Sequence, residues 1–128
     1  MNAAPVIRAQ KNSRPIELAL VAIVVLAARS AAASSYPEIY AGLAASDLAL
    51  ATSTVQRALE SNLSGTTRLW RNKRTGSKGA VRPLRTFRIR TGHYCREYEE
   101  TIESKHGPLW RRAIACRDHG GSWVSIGR

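Results

Sequence analysis

With 128 residues, 20 Lys and Arg against 9 Asp and Glu, and a net charge of +11, the chain has room for one small domain and excludes any larger architecture. The 44% hydrophobic content overstates the core, because many of those residues are alanines clustered before Ala51. The rest of the chain depends on a few large groups: Trp70, Phe87, Tyr94, Tyr98, Trp110 and Trp123.

The first stretch carries Arg8, Lys11 and Arg14, then an apolar run over 16–28 broken only by Glu17, then the small residues Ala31-Ala32-Ala33. This layout predicts a secretory signal peptide over 1–33, cut after Ala33 to leave Ser34 as the N-terminus. The apolar run falls short of the roughly 20 residues that cross a bilayer. An uncleaved signal-anchor and an alanine-rich soluble helix are the alternatives. Pro37 and Gly42 then mark a linker over 34–45, and 46–128 is the expected domain.

Ser46 or Asp47 can cap a helix running to about Asn62, with Leu48, Thr52, Val55, Leu59 and Leu63 along one stripe and Gly65 past its end. Strands follow at 66–72 and 80–90, joined by the polar, glycine-containing turn 73–79. In the second, Val81, Phe87 and Ile89 share one face and Arg82, Arg88 and Arg90 the other, while Pro83 calls for an edge or a bulge. A hairpin of 94–104 and 109–117 turns at Lys105-His106-Gly107-Pro108, and 122–126 closes the sheet. The expected fold is α+β, one helix packed on an antiparallel meander of four to five strands.

If residue numbers across that hairpin sum to 211, Cys95 stands directly opposite Cys116. A non-hydrogen-bonded antiparallel pair holds its Cα atoms about 4.5 Å apart, within disulfide reach. A bond between them would close a loop worth about 3 kcal/mol. His93-x-Cys95 and Cys116-x-x-His119 form the rival grouping, the ligand set of a structural zinc, although Arg96 and Arg117 beside the ligands oppose a cation. A catalytic cysteine is a third reading, disfavoured by export, because oxidising compartments pair thiols. Glu97, Glu99, Glu100 and Glu103 could hold paired catalytic carboxylates, but alternation sends Glu97, Glu99 and Glu103 to one face and Glu100 to the other, and amid so many arginines they read as a salt-bridged strand surface. His93, His106 and His119 sit in turn-like contexts and read as solvated.

From residue 61 to residue 90 there are nine basic side chains and no acidic one. Arg71, Lys73, Arg74, Lys78, Arg82, Arg88 and Arg90 are the candidate anion-binding residues, with Trp70 and Phe87 interleaved, a pattern suited to nucleic acid, anionic lipid or acidic glycan. The competing reading is a solvated or salt-bridged face with the aromatics buried behind it.

Gly92-His93-Tyr94-Cys95-Arg96-Glu97-Tyr98, Ala115-Cys116-Arg117 and Gly121-Ser122-Trp123 resemble the C-terminal domain of the bacterial surface-antigen family typified by the rickettsial outer-membrane lipoprotein antigen. The resemblance extends upstream through Ala58-Leu59-Glu60, Trp70-Arg71-Asn72, Thr75-Gly76 and Gly79-Ala80-Val81-Arg82-Pro83, about half the chain. It implies an envelope-associated α+β domain with no described enzymatic activity. Lipid-anchored members carry a cysteine at the cleavage site. Here both cysteines lie deep in the domain, so lipidation is not expected. The glycine-rich repeat that often precedes the domain is also missing, Gly42 being the only glycine before Gly65.

The expectation is therefore an exported, disulfide-stapled protein of the periplasm, outer membrane or cell surface, not an enzyme, without cofactor or metal. Its basic face would meet cell-envelope components such as anionic lipid or glycan, and membrane association is compatible with that. A secreted inhibitor of an envelope-degrading enzyme and a cationic nucleic-acid-binding protein are the alternatives, nucleic acid being the less expected partner. Oligomeric state is not legible.

Overall fold

A computed structural model of the chain describes residues 2–4 and 37–126. The apolar run 16–28 and the cleavage point after Ala33 lie outside the described residues. Residues 37–126 hold a single 3-10 turn at Glu38–Tyr40, helix α1 at Ala45–Ser61, and strands β1 (Arg68–Arg71), β2 (Lys78–Arg88), β3 (Tyr94–Ser104), β4 (Gly107–Arg117) and β5 (Trp123–Ser125). The strands form one antiparallel sheet in the order β1-β2-β3-β4-β5, so the expected α+β meander is the fold observed.

Helix α1 starts with Ala44 at its capping position and no side-chain cap, so neither Ser46 nor Asp47 plays the expected part. Its buried face is Asp47, Ala51, Thr54, Val55, Ala58 and Leu59, rotated from the expected stripe. Small Ala51 and Ala58 face the sheet because the sheet supplies the bulk there, in Trp70, Tyr98 and Trp123. Leu63 falls beyond the helix and is exposed. Thr52 and Thr54 turn their hydroxyls back onto the Leu48 and Leu50 carbonyls at 2.8 and 2.6 Å, which satisfies them within the helix. At the far end the buried Arg96 of β3 donates to the Leu59 carbonyl at 2.7 Å and the Ala58 carbonyl at 3.3 Å. A cation there meets the negative end of the helix dipole.

The β3–β4 ladder runs from Cys95↔Cys116 to Ser104↔Gly107, every pair summing to 211, around the two-residue turn Lys105-His106. The cysteines form a disulfide across it with Cα atoms 3.9 Å apart. On β3 the even residues Arg96, Tyr98, Glu100 and Ile102 are buried. Their register partners Ala115, Ala113, Arg111 and Leu109 therefore share that face, and the cysteines, Ile114 and Trp110 lie on the other. Trp110 (61% exposed) and Tyr94 (52% exposed) are thus not the core residues their size predicts.

On β2 the register shifts between Pro83 and Arg85. Before the shift Val81 and Pro83 oppose Glu100 and Tyr98 of the core face, and after it Phe87 opposes Cys95 of the outer face. The expected sharing of one face by Val81, Phe87 and Ile89, and of the other by Arg82, Arg88 and Arg90, is overturned by this bulge, which inverts the alternation. Pro83 is bulged as anticipated, and it also lies past the end of β1, whose last partner on β2 is Val81. On β1, Trp70 lies opposite Gly79, where a Cβ would run into the indole and the Thr101 carbonyl.

The stretch expected to be a linker is, in its described part, folded onto the domain. Ile39 and Tyr40 are buried with Ala51, Trp70 and Ile102. The second cluster, Val55, Ala58, Leu59, Val81, Tyr98, Ala113, Ala115 and Trp123, fills the space beneath α1. Gln56 fixes β5 by exchanging two hydrogen bonds with the Trp123 backbone, at 2.7 and 2.8 Å.

Candidate functional site

The seven cations selected from the sequence divide into three settings. Lys78 and Arg82 pair across the ladder with Glu103 (3.1 Å) and Glu99 (2.6 Å). Arg85 and Arg112 converge on Glu97 at 2.6 and 2.9 Å, completing a lattice of ion pairs on the outer face. The Arg85 hydrogen bond, with the charges of Arg112 and Arg85, holds the Glu97 carboxyl below the usual range against some burial cost. Arg88 lies over the Tyr94 ring, 4.9 Å from its centroid, and donates to the Gly92 carbonyl. Arg90 is exposed in the loop between β2 and β3. That loop lies at the end of β2 opposite to Lys78, about 33 Å away at strand rise. One continuous basic face is therefore not what these residues build.

Arg71, Lys73 and Arg74 sit together at the other end, exposed, with no ion pair among the described residues. The turn that carries Lys73 and Arg74, just after Arg71 at the end of β1, is held firmly. Asn72 Oδ1 accepts from the Arg74 N–H at 3.1 Å, and the Asn72 N–H donates to the Ser77 carbonyl at 2.8 Å. Buried Asp47, in the first turn of α1, accepts from Asn72 Nδ2 at 2.7 Å and from the Thr75 hydroxyl at 2.6 Å. Burial raises the Asp47 pKa, but the hydrogen bonds from Thr75, Asn72 and Ser77 outweigh it and leave the carboxyl below its ordinary value. Lys78↔Glu103 pairing brings the Lys105-His106 turn to the same end of the sheet. A groove there is lined by Gly42, Leu43, Asp47, Thr75, Ser104 and Lys105.

The interleaved aromatics are architecture. Trp70 is buried in the core, and Phe87 lies under Arg85, whose guanidinium is 4.7 Å from the ring centroid. The carboxylates differ from expectation at one position. Glu97, Glu99 and Glu103 form the salt-bridged strand surface, but Glu100 is fully buried on the core face. Arg111 Nε donates to it at 2.7 Å and the Tyr40 hydroxyl at 2.8 Å, while Arg111 Nη2 also reaches the Tyr98 hydroxyl at 3.0 Å. Burial pushes Glu100 up, against the lowering pull of Arg111 and Tyr40. Burial also raises both tyrosines, with the Glu100 charge adding to it. For Arg111 burial acts downward, and the Glu100 charge overcomes it. Tyr40, Arg96 and Arg111 were not singled out from the sequence. The signal available was the even spacing of Arg96, Tyr98, Glu100 and Ile102, which puts both charges on an apolar face.

The disulfide removes both sulfurs from the rival zinc grouping and from nucleophilic chemistry. Among the described residues no three His, Cys, Asp or Glu side chains cluster around a common point that could hold a metal. The same disulfide nonetheless brings His93 and His119 together, ring centroids 4.8 Å apart. His106 lies against Gly42 at the opposite end. No helix among the described residues is long and apolar enough to cross a membrane.

Comparison with known proteins matches residues 57–124 to the family described as 17 kDa outer membrane surface antigen. A 17 kDa surface antigen of Rickettsia bellii (strain RML369-C) is 40% identical over 89 residues, covering 70% of this chain and 56% of that protein. The 17 kDa surface antigen of Rickettsia felis is 43% identical over 85 residues, 66% of this chain and 54% of its own length. That of Rickettsia prowazekii is 41% identical over 73 residues, 57% and 46% respectively. The chain thus spans about half the length of the curated relatives it matches. No solved structure matches it.

Proposed function

This chain belongs to the 17 kDa outer membrane surface antigen family, and we propose that it is an exported module of the bacterial cell envelope that holds anionic envelope material at its basic end and catalyses no reaction. The observation that carries the reading is the placement of Lys73 and Arg74 on a turn fixed to buried Asp47, with Arg71 beside them at the end of β1. Lys78, Arg82, Arg85 and Arg112 by contrast are ion-paired within the sheet. Cations with no ion-pair partner among the described residues, held at a fixed turn and the strand end before it, meet phosphate or carboxylate groups without first breaking such a pair.

Export is supported by the disulfide, which persists in oxidising compartments, and by the surface-antigen name of the relatives. A non-enzymatic role is supported by the occupation of Glu97, Glu99, Glu100 and Glu103 in ion pairs. Cell fractionation combined with N-terminal sequencing tests the placement. The expected result is retention with the envelope fraction and a mature chain that starts at Ser34. Recovery of the protein with reduced thiols in the cytoplasmic fraction would overturn it.

A further inference from the structure

Beyond the basic end, the opposite end of the sheet holds an arrangement that the proposed function does not use. His93 stands two residues before Cys95, and His119 three residues after Cys116. With the cysteines joined at a Cα separation of 3.9 Å, the two imidazoles are set beside each other, centroids 4.8 Å apart and planes inclined at 64°. From this geometry we infer that His93 and His119 form a two-imidazole binding site for a divalent transition-metal ion of the borderline class, such as Zn2+ or Cu2+, with water completing the coordination.

Three observations support it. First, the spacing fits a shared ion. With metal–nitrogen bonds of about 2.0–2.1 Å, two imidazoles on one ion at right to tetrahedral angles have centroids about 4.5–5.3 Å apart.

Second, His93 is held in the tautomer that a ligand needs. Its Nδ1 lies 3.0 Å from the Arg117 carbonyl oxygen. A carbonyl only accepts, so Nδ1 carries the proton and Nε2 keeps its lone pair for a metal. A ligating histidine characteristically donates its second ring N–H in this way, which fixes both tautomer and ring orientation.

Third, the scaffold on both sides is held in place. The turn bearing His119 is closed by the Asp118 N–H donating to the Ser122 carbonyl at 2.8 Å and the Ser122 N–H donating to Asp118 Oδ1 at 2.8 Å. Nearby positive charge is partly engaged elsewhere. Arg117 pairs with Glu60 at 3.1 Å, and Arg88 is held over Tyr94. Imidazole ligands select borderline ions over the hard cations Mg2+ and Ca2+, which take oxygen donors.

The test is titration of the oxidised protein with Zn2+ alone, followed calorimetrically, with Cu2+ as a paramagnetic probe of the histidine ring signals. The expected result is one Zn2+ per chain and no Mg2+ heat. His93→Gln and His119→Gln should each weaken binding at least tenfold, His106→Gln should leave it unchanged, and Cu2+ should broaden His93 and His119 before His106. Both variants alter side chains at turns outside the core, and an unchanged melting temperature establishes that they fold. Absence of Zn2+ binding by the parent, indifference of binding to both variants, or loss of binding in His106→Gln would each overturn the site.

Discussion

The Tyr40 hydroxyl donates to Glu100 at 2.8 Å, joining the turn before the helix to the middle of β3 across sixty positions of sequence. With Arg111 donating to the same carboxylate at 2.7 Å and to the Tyr40 hydroxyl at 3.1 Å, the contact turns a buried charge into a paired and hydrogen-bonded one. Removing one member of such a cluster strands the others in the core. Glu100→Ala should cost about 3–5 kcal/mol in chemical denaturation, and Tyr40→Phe about 1–3 kcal/mol. Replacing Glu100 and Arg111 together by Leu and Met, with Tyr40→Phe and Tyr98→Phe so that no hydroxyl is stranded, should restore most of the loss, because an apolar group carries no desolvation penalty. A single Glu100→Ala variant as stable as the parent would show that the cluster does not hold the fold.

The disulfide is expected to leave no titratable thiol in the native exported protein. Reduction should lower stability by about 3 kcal/mol, the chain-entropy value for a loop of this size, read as a fall in melting temperature. Two thiols titrating in the native oxidised preparation would contradict the pairing of Cys95 with Cys116.

Acid should destabilise the protein through Asp47 in particular. Its pKa is lowered in the fold, because the hydrogen bonds from Thr75, Asn72 and Ser77 outweigh the upward push of burial. The stability it contributes is therefore present above the unfolded aspartate value of about 3.9 and is lost as pH falls through the lower, folded value. Glu60 and Glu97 act in the same direction, Glu60 through its hydrogen bonds from Trp123 and Arg117. Glu100 has the opposite sign. Its pKa is raised, so its contribution is fully present below the ordinary carboxylate range and declines as pH rises through the folded value. Denaturation midpoints measured from pH 2 to 7 should show a shallower acid limb for Asp47→Asn than for the parent, and an unchanged slope would remove Asp47 from the account.

Much of the fold was legible because its signals are local. The Cys95/Cys116 register followed from alternation on two strands around one short turn, and the meander from turn residues between short apolar runs. The division of the basic residues was not legible, because a single inserted position between Pro83 and Arg85 reverses every side chain after it, and Pro83 announces a bulge without its phase. Arg96 and Glu100 could have been placed in the core from alternation alone. Their partners could not, since the helix C-terminus, Tyr40 and Arg111 are brought to them by tertiary packing. The helix stripe rotated for the same reason: alanines face the sheet where the strands supply the bulk.

The central claim is that Arg71 at the end of β1 and Lys73 and Arg74 on the turn after it hold anionic envelope material, and vesicle co-sedimentation tests it most directly. Vesicles containing anionic lipid A and neutral control vesicles would be compared at low and physiological salt, for the parent, for Arg71→Gln/Lys73→Gln/Arg74→Gln, and for Lys78→Gln/Arg82→Gln. The account predicts binding to the anionic vesicles that weakens strongly with salt, falls at least tenfold in the triple variant and changes little in the double variant. Melting temperature should barely move in the triple variant, since exposed charges contribute about 0–1 kcal/mol each. Undiminished binding by the triple variant, or equal loss in the double variant, would contradict it.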